Sequence, residues 1–295
     1  MNGSPHLTWN LVRDVTQLFD FPFMVNAFRA GTIVAITAAL VGWFMVLRRQ
    51  TFAGHTLALV AFPGASGAIL VGVSATYGFF GFTIGAALLI AAFSQPGRRG
   101  YSEQSAIIGT VQALALACGF LFVSLSHRNV TGVQALLFGS FVGITKDQVA
   151  VLFFGALIVL GALGFIARPL LFASVDPDVA AARGVPVRML SVLFLLLLGV
   201  AAAEASQITG SLLIFALLVL PAATAELLIS KPSMSLVAAV IIAVLVTWLG
   251  LAMSYYNDYP IGFHVTTIAF AAYLLAQGWQ RLPRIIPQLR TGTRL

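Results

Sequence analysis

Few ionisable side chains interrupt the apolar runs of this 295-residue sequence, and those few are the candidates for chemistry. They are His55, Glu204, Asp258 and His264, with Glu226 beside them as a weaker candidate. Imidazole and carboxylate groups are ligands that transition metals take from proteins, and an ionisable group at membrane depth usually marks a polar pathway. We therefore treat the first four residues as candidates for an ion path. Solvation of the two glutamates and His264 at the membrane interface is the alternative interpretation.

The sequence contains none of the motifs that would energise transport or catalyse a reaction. It has no G-x-x-x-x-G-K-[ST] phosphate loop and no H-E-x-x-H zinc motif, and no Ser, His and Asp set predicts a catalytic triad. Cys118 is its single cysteine, which excludes a disulfide or a cysteine metal site within the chain. We expect no enzymatic activity and no bound cofactor. The energy source must be a partner or an ion gradient.

The composition predicts an all-α, polytopic integral membrane protein. The chain is 60% hydrophobic and 8% charged, whereas soluble domains carry roughly 25% charged residues. We expect an amphipathic interfacial segment at 1–22, one transmembrane domain at 23–282 and a basic tail at 283–295. Nine apolar runs are long enough to cross a bilayer, with eight spans as the alternative because the second and third runs are short or broken. The runs cover about 24–47, 51–73, 78–94, 104–125, 148–168, 188–206, 209–230, 235–256 and 262–280.

Positive charge orients these spans, because Lys and Arg are enriched in cytoplasmic loops. If the loop at Arg48 is cytoplasmic, strict alternation of nine spans leaves only four of the sixteen basic residues outside. These four are Arg13, Arg29, Arg128 and Lys146. We therefore predict an external N-terminus and a cytoplasmic C-terminus in the cell membrane. The net charge of +7 is explained by this topology, so we expect no binding of nucleic acid.

The second apolar run, "TFAGHTLALVAFPGASG", places Pro63 and Gly64 in the middle of a span. A proline inside a helix removes a hydrogen-bond donor and kinks the helix, and such breaks are tolerated where the helix is buried or lines a cavity. We predict that the pair breaks this span, so that the half carrying His55 faces the path. A kink that serves only packing is the alternative.

Five segments carry a resemblance to a known family. "VLRRQTFAGHTLALVAFPG" resembles the "LRR-x-x-F-x-G-D-x-L-x-H-x-x-L-P-G" segment of permease subunits of zinc/manganese-type ATP-binding-cassette importers. Four further segments resemble family motifs in the same order, and together the five cover about 25–280. They are "LLFGSFVGIT" (136–145), "SVDPDVAAARGVPVRML" (174–190), "ITGSLLIFALLVLPAATAELL" (208–228) and "SYYNDYPIGF" (254–263).

The resemblance implies a homodimer of permeases, a cytoplasmic ATPase and an extracytoplasmic metal-binding protein. Where the family has Asp and His four residues apart, this sequence has His55 and Leu59. One imidazole from each of two subunits, without a carboxylate, favours zinc over manganese as the transported ion. Manganese, a metal chelate or another small solute, an ion-coupled secondary transporter and a membrane scaffold are the alternatives.

The segment 174–190 has the physical properties of a short capped helix in a cytoplasmic loop. An aspartate can cap its start, "DVAAAR" favours helix, and a glycine followed by a proline can end it. The resemblance implies that an ATPase docks there, and a solvated connector is the alternative. The residues concerned are Asp176, Asp178, Ala180, Gly184 and Pro186.

Overall fold

The structure is a computed structural model, which describes residues 11–93, 101–126, 136–140, 143–211, 214–257 and 259–291. Within these ranges the chain forms eleven helices of six residues or more and no strand. The all-α prediction is confirmed. The helices are α1 (Leu11–Asp20), α2 (Pro22–Leu47), α3 (Thr51–Leu70), α4 (Ala75–Phe93), α5 (Tyr101–Leu125), α6 (Lys146–Val175), α7 (Pro177–Ala182), α8 (Val187–Thr209), α9 (Ile214–Leu228), α10 (Pro232–Tyr256) and α11 (Ile261–Thr291).

Eight of these helices are long and apolar enough to cross a membrane, namely α2 to α6, α8, α10 and α11. Helices suit this environment because each satisfies its own backbone polar groups, which hydrocarbon cannot do. The seventh predicted span, 209–230, is shorter than expected, since α9 has only 15 residues. It covers about 22 Å, against roughly 30 Å of hydrocarbon. Thr209, the first residue of the predicted span, is the last residue of α8, and Gly210 follows it with a φ of 78°.

Hydrogen bonds between helix ends show which of these ends lie at the same face of the bundle. Trp43, near the end of α2, donates its indole N–H to Ser235 Oγ at the start of α10 (3.0 Å). Asn26, near the start of α2, donates to the carbonyl of Ile144 just before α6 (3.2 Å). Helices α2 and α10 are therefore antiparallel, and α2 and α6 begin at the same face.

The short helix α9 still returns the chain to the face where α2 ends. The carbonyl of Leu227, at the end of α9, accepts a hydrogen bond from Gln280 near the end of the α11 span. Helix α10 begins four residues after α9 ends, at the face already identified from Trp43. Among the described residues, eight helices long enough to span and the short α9 therefore run between the two faces. These contacts place the start of α2 and the end of the α11 span at opposite faces.

The interior of the bundle is built mainly from α2, α3 and α8. In the α3 span 78% of the residues are buried, compared with 11% in α5. Gly42 of α2 lies so close to α9 that a β-carbon there would overlap the carbonyl oxygen of Leu218. Small residues allow this approach of helix backbones in membrane proteins. Helix α5 instead presents large apolar side chains such as Leu114 and Phe120 to the surroundings.

The assignment of the two faces can be tested with single cysteines in a Cys118→Ala background. We expect a cysteine at Ala182, which is exposed in α7, to react with a membrane-impermeant maleimide only after the cells are opened, because α7 should be cytoplasmic. A cysteine at Tyr259, exposed at the opposite face, is the control and should react in intact cells. Labelling of Ala182→Cys from outside would contradict the predicted topology.

Candidate metal pathway

His55 lies in the second turn of α3, close to the face where α2 ends. It is the fifth residue of the helix, about 6 Å from its start along the axis. The imidazole is half-buried and meets the ring of Phe215 on α9 edge-on, with ring centroids 4.9 Å apart. Its Nδ1 is buried and has no hydrogen-bond partner among the described residues. Leu59, one turn further along, offers no second ligand.

Glu204 lies in the protein interior, contrary to the alternative that headgroups solvate it. The residue is 0% exposed, and both carboxyl oxygens are buried without a hydrogen-bond partner within the described ranges. A β-carbon at Gly155 of α6 would overlap Oε1, so the absence of a side chain there provides the room for the carboxyl group. Thr37 of α2 lies beside the carboxyl, but its hydroxyl donates to the carbonyl of Ile33 (3.0 Å).

His264 is also buried within the protein, at 5% exposure near the start of α11. The rings of Tyr259 and Phe263 lie 6.3 Å and 5.4 Å from its imidazole, and its Nε2 has no hydrogen-bond partner in the part of the chain that the structure describes. Asp258 lies outside the described residues.

The candidate residues do not form one cluster. His55 contacts α9, Glu204 faces α6 and α2, and His264 is enclosed by aromatic residues at the opposite face from His55. Across the described ranges, no group of three or more His, Cys, Asp or Glu side chains could jointly hold a metal ion. Any ion would therefore meet these groups in succession, or would meet one of them together with its copy in a second subunit.

Pro63 and Gly64 do not divide the second span. Helix α3 is continuous from Thr51 to Leu70, with the pair buried inside it. A β-carbon at Gly64 would overlap the carbonyl oxygen of Gly78 on α4, and one at Gly119 of α5 would crowd the Cα of Pro63. The structure thus supports the packing alternative, since the two residues let α4 and α5 approach the backbone of α3.

The short helix α7 has caps at both ends. Asp176 accepts a hydrogen bond from the backbone N–H of Val179 (3.0 Å), which identifies it, rather than Asp178, as the N-cap. At the other end Gly184 has a φ of 82°, and the N–H groups of Gly184 and Val185 bond to the carbonyls of Ala181 and Ala180. These two bonds form a Schellman motif. Ala180 is buried, Asp178 is exposed, and Pro186 precedes α8 directly.

Comparison with known proteins assigns the fold to a family. Residues 20–279 match the ABC 3 transport family. The chain belongs to that family. It is a multi-pass membrane protein of the permease type that the sequence motifs resemble.

Curated relatives cover most of this family member. The manganese transport system membrane protein MntC of Halalkalibacterium halodurans is 29% identical over 267 residues, covering 90% of each chain. The chelated iron transport system membrane protein YfeC of Yersinia pestis is 29% identical over 260 residues, covering 88% of this chain and 87% of its own. PsaBC from Streptococcus pneumoniae, solved in complex with a Fab, has a similar fold, with a TM-score of 0.79 at 24% identity over 90% of this chain and 95% of that one.

The sequence analysis did not predict two polar contacts of this ABC 3 family member. Gln207 of α8 is buried, and its carbonyl oxygen accepts hydrogen bonds from Thr76 (3.2 Å) and Gln148 (3.3 Å). Arg48 donates to serines on α6 and α8. Gln207 stands out in the sequence as a polar residue in an apolar run. Its hydrogen-bond partners lie 59 and 131 residues away, so the sequence does not identify them.

The close contact at Gly64 predicts that a larger residue at this position would destabilise the protein. We expect Gly64→Ala to lower the free energy of unfolding by about 1–3 kcal/mol, because the new methyl group would overlap backbone atoms of α4. Gly85→Ala is the matched control, since a β-carbon at Gly85 of α4 meets nothing within 4 Å. Thermal unfolding in detergent measures both. Equal stability of the two variants would show that Gly64 is not a packing residue.

Proposed function

We propose that this chain is the membrane permease of an ATP-binding-cassette importer that moves a divalent transition metal into the cytoplasm. It acts as a homodimer, with a cytoplasmic ATPase and an extracytoplasmic metal-binding protein. Family membership supports the transporter class. The names of the relatives support a metal as the cargo, because MntC is a manganese transport protein and YfeC a chelated iron transport protein.

The observation that carries the proposal is the position of α7 relative to His55. Helix α7 is short and capped at both ends, and it exposes Asp178, Val179 and Ala181 at the face where α2 ends and α3 begins. His55 lies about one turn into α3 from that face. An ATPase bound to α7 would therefore act at the face near which the half-buried imidazole of His55 lies.

The choice of metal depends on the ligands that the path offers. Imidazole is a borderline ligand that suits zinc, whereas carboxylate oxygens suit manganese. His55 in two subunits would supply two nitrogens and favour zinc, and weak binding by so few ligands suits a conduit that must release its ion. The relatives' names favour manganese, to which the buried carboxyl of Glu204 is the better suited of the candidate side chains. Zinc stays our prediction for His55.

Metal uptake by proteoliposomes that contain the permease with its ATPase tests this function. We expect ATP-dependent uptake of zinc by the parental complex, and a decrease of several-fold in His55→Ala because the path loses its imidazole. Leu59→His adds a second imidazole one turn along α3, so it should retain zinc more tightly and select more strongly against manganese.

His264→Ala removes the other candidate imidazole within the described residues, which lies beside Tyr259 and Phe263 at the opposite face. We expect it to change stability more than metal preference. Parental uptake by a correctly assembled His55→Ala complex would exclude His55 from the path. Uptake that needs a proton gradient instead of ATP would replace the proposed function with ion-coupled transport.

A further inference from the structure

Two arginines converge on a cavity at the face that carries α7. The cavity has a volume of about 320 Å³ and is lined by Arg48, Arg188, Gln50, Ser174 and Ser191 among its polar residues. Arg48 donates to Ser174 Oγ (3.1 Å) and Ser191 Oγ (2.8 Å), and its guanidinium lies 5.4 Å from the centroid of Phe194. These bonds hold a cationic group at the cavity wall.

The charge of this cavity is not balanced by the residues that line it. The remaining described residues that line it are apolar, and no aspartate or glutamate is among them. The Nε of Arg48 is buried without a hydrogen-bond partner. Burial lowers the pKa of the Arg48 guanidinium, yet arginine stays protonated in proteins. A cavity lined by two arginines has the chemistry of an anion site, since guanidinium groups match phosphate oxygens.

A larger apolar groove adjoins the cavity. Its volume is about 970 Å³, and it shares Pro177, Val187, Arg188 and Val192 with the cavity. It continues along α8 past Met189 and Leu193 to Leu196, while Asp178 and Arg188 are the charged residues that line it. From Val187 to Leu196 the groove follows α8 for about 14 Å. An anion site therefore opens directly onto an apolar surface of a membrane-spanning helix.

We propose that the cavity and the groove together bind one anionic phospholipid of the leaflet that adjoins α7. Its phosphate lies between Arg48 and Arg188, and an acyl chain follows Met189, Leu193 and Leu196. The ligand would contact Pro177, the first residue of α7, so lipid composition would affect the helix to which the proposed ATPase docks. The proposal concerns lipid binding alone and does not require metal transport.

The length of the groove favours a lipid over an acidic side chain of a soluble partner. A partner that docks at the membrane face could reach Arg188, but Leu196 lies two to three turns further into a helix that crosses the bilayer. An acyl chain is apolar and already lies at that depth of the bilayer. The two arginines supply the attraction to an anionic headgroup, which is worth about 1 kcal/mol for each basic residue near the surface.

Native mass spectrometry of the purified full-length chain tests the proposal. The protein in detergent is titrated with dioleoylphosphatidylglycerol or with dioleoylphosphatidylcholine, which have the same acyl chains and differ in charge. We expect the anionic lipid to bind at least several-fold more tightly. Arg188→Gln should weaken its binding about five-fold and weaken that of phosphatidylcholine less, because the choline cation offsets the charge of its phosphate. This exposed position should tolerate the change.

Arg183→Gln is the matched control, because this exposed arginine of the same loop lines neither the cavity nor the groove. We expect it to bind phosphatidylglycerol like the parent. Arg48→Gln should weaken binding further, and if that variant does not fold, Arg188→Gln still decides the question. Equal binding of the two lipids, or equal effects of Arg183→Gln and Arg188→Gln, would overturn the proposal. So would displacement of the lipid by equimolar inorganic phosphate, or by the ATPase subunit.

Discussion

The guanidinium of Arg48 joins three helices at one membrane face, and the geometry of that face depends on it. Arg48 follows the last residue of α2 and bonds to Ser174 near the end of α6 and to Ser191 near the start of α8. These two helices flank α7. A charged group at this depth is costly unless it is bonded, so the two serines and the ring of Phe194 determine where the turn between α2 and α3 can lie.

Helix α3 follows the turn that Arg48 fixes and runs into the interior of the bundle. It begins three residues after Arg48 and carries His55 in its second turn. Its backbone contacts α4 at Gly64, and Thr56 donates to Gln112 on α5 (2.9 Å). Because the helix passes through Pro63 without a break, it is held as one unit with its neighbours. In the proposed function, a movement of α7 would reach His55 through the Arg48 contacts and not through a hinge within α3.

The features that could be predicted from the sequence are local ones. Apolar runs indicate membrane helices, and the aspartate and glycine around "DVAAAR" predict a capped helix, which the bonds of Asp176 and Gly184 confirm. The rest depends on contacts between distant segments. The carboxyl of Glu204 fits beside Gly155 on another helix, and Pro63 and Gly64 lie close to α5 and α4. No local pattern contains that information.

If the movement of an ATPase reaches the permease through α7, the rate of ATP hydrolysis should depend on Gly184, which ends this helix. Its φ of 82° costs other residues roughly 1–2 kcal/mol, so Gly184→Leu should distort the end of α7 while the permease still inserts. Gly184→Asn should do so less, because asparagine tolerates this conformation. Gly72→Leu, with a φ of 78° in open space after α3, imposes the same strain away from α7. The measurement is metal-stimulated ATP hydrolysis by the reconstituted complex. The account predicts a loss of several-fold in Gly184→Leu and parental rates in Gly72→Leu, and parental hydrolysis by an assembled Gly184→Leu complex would contradict it.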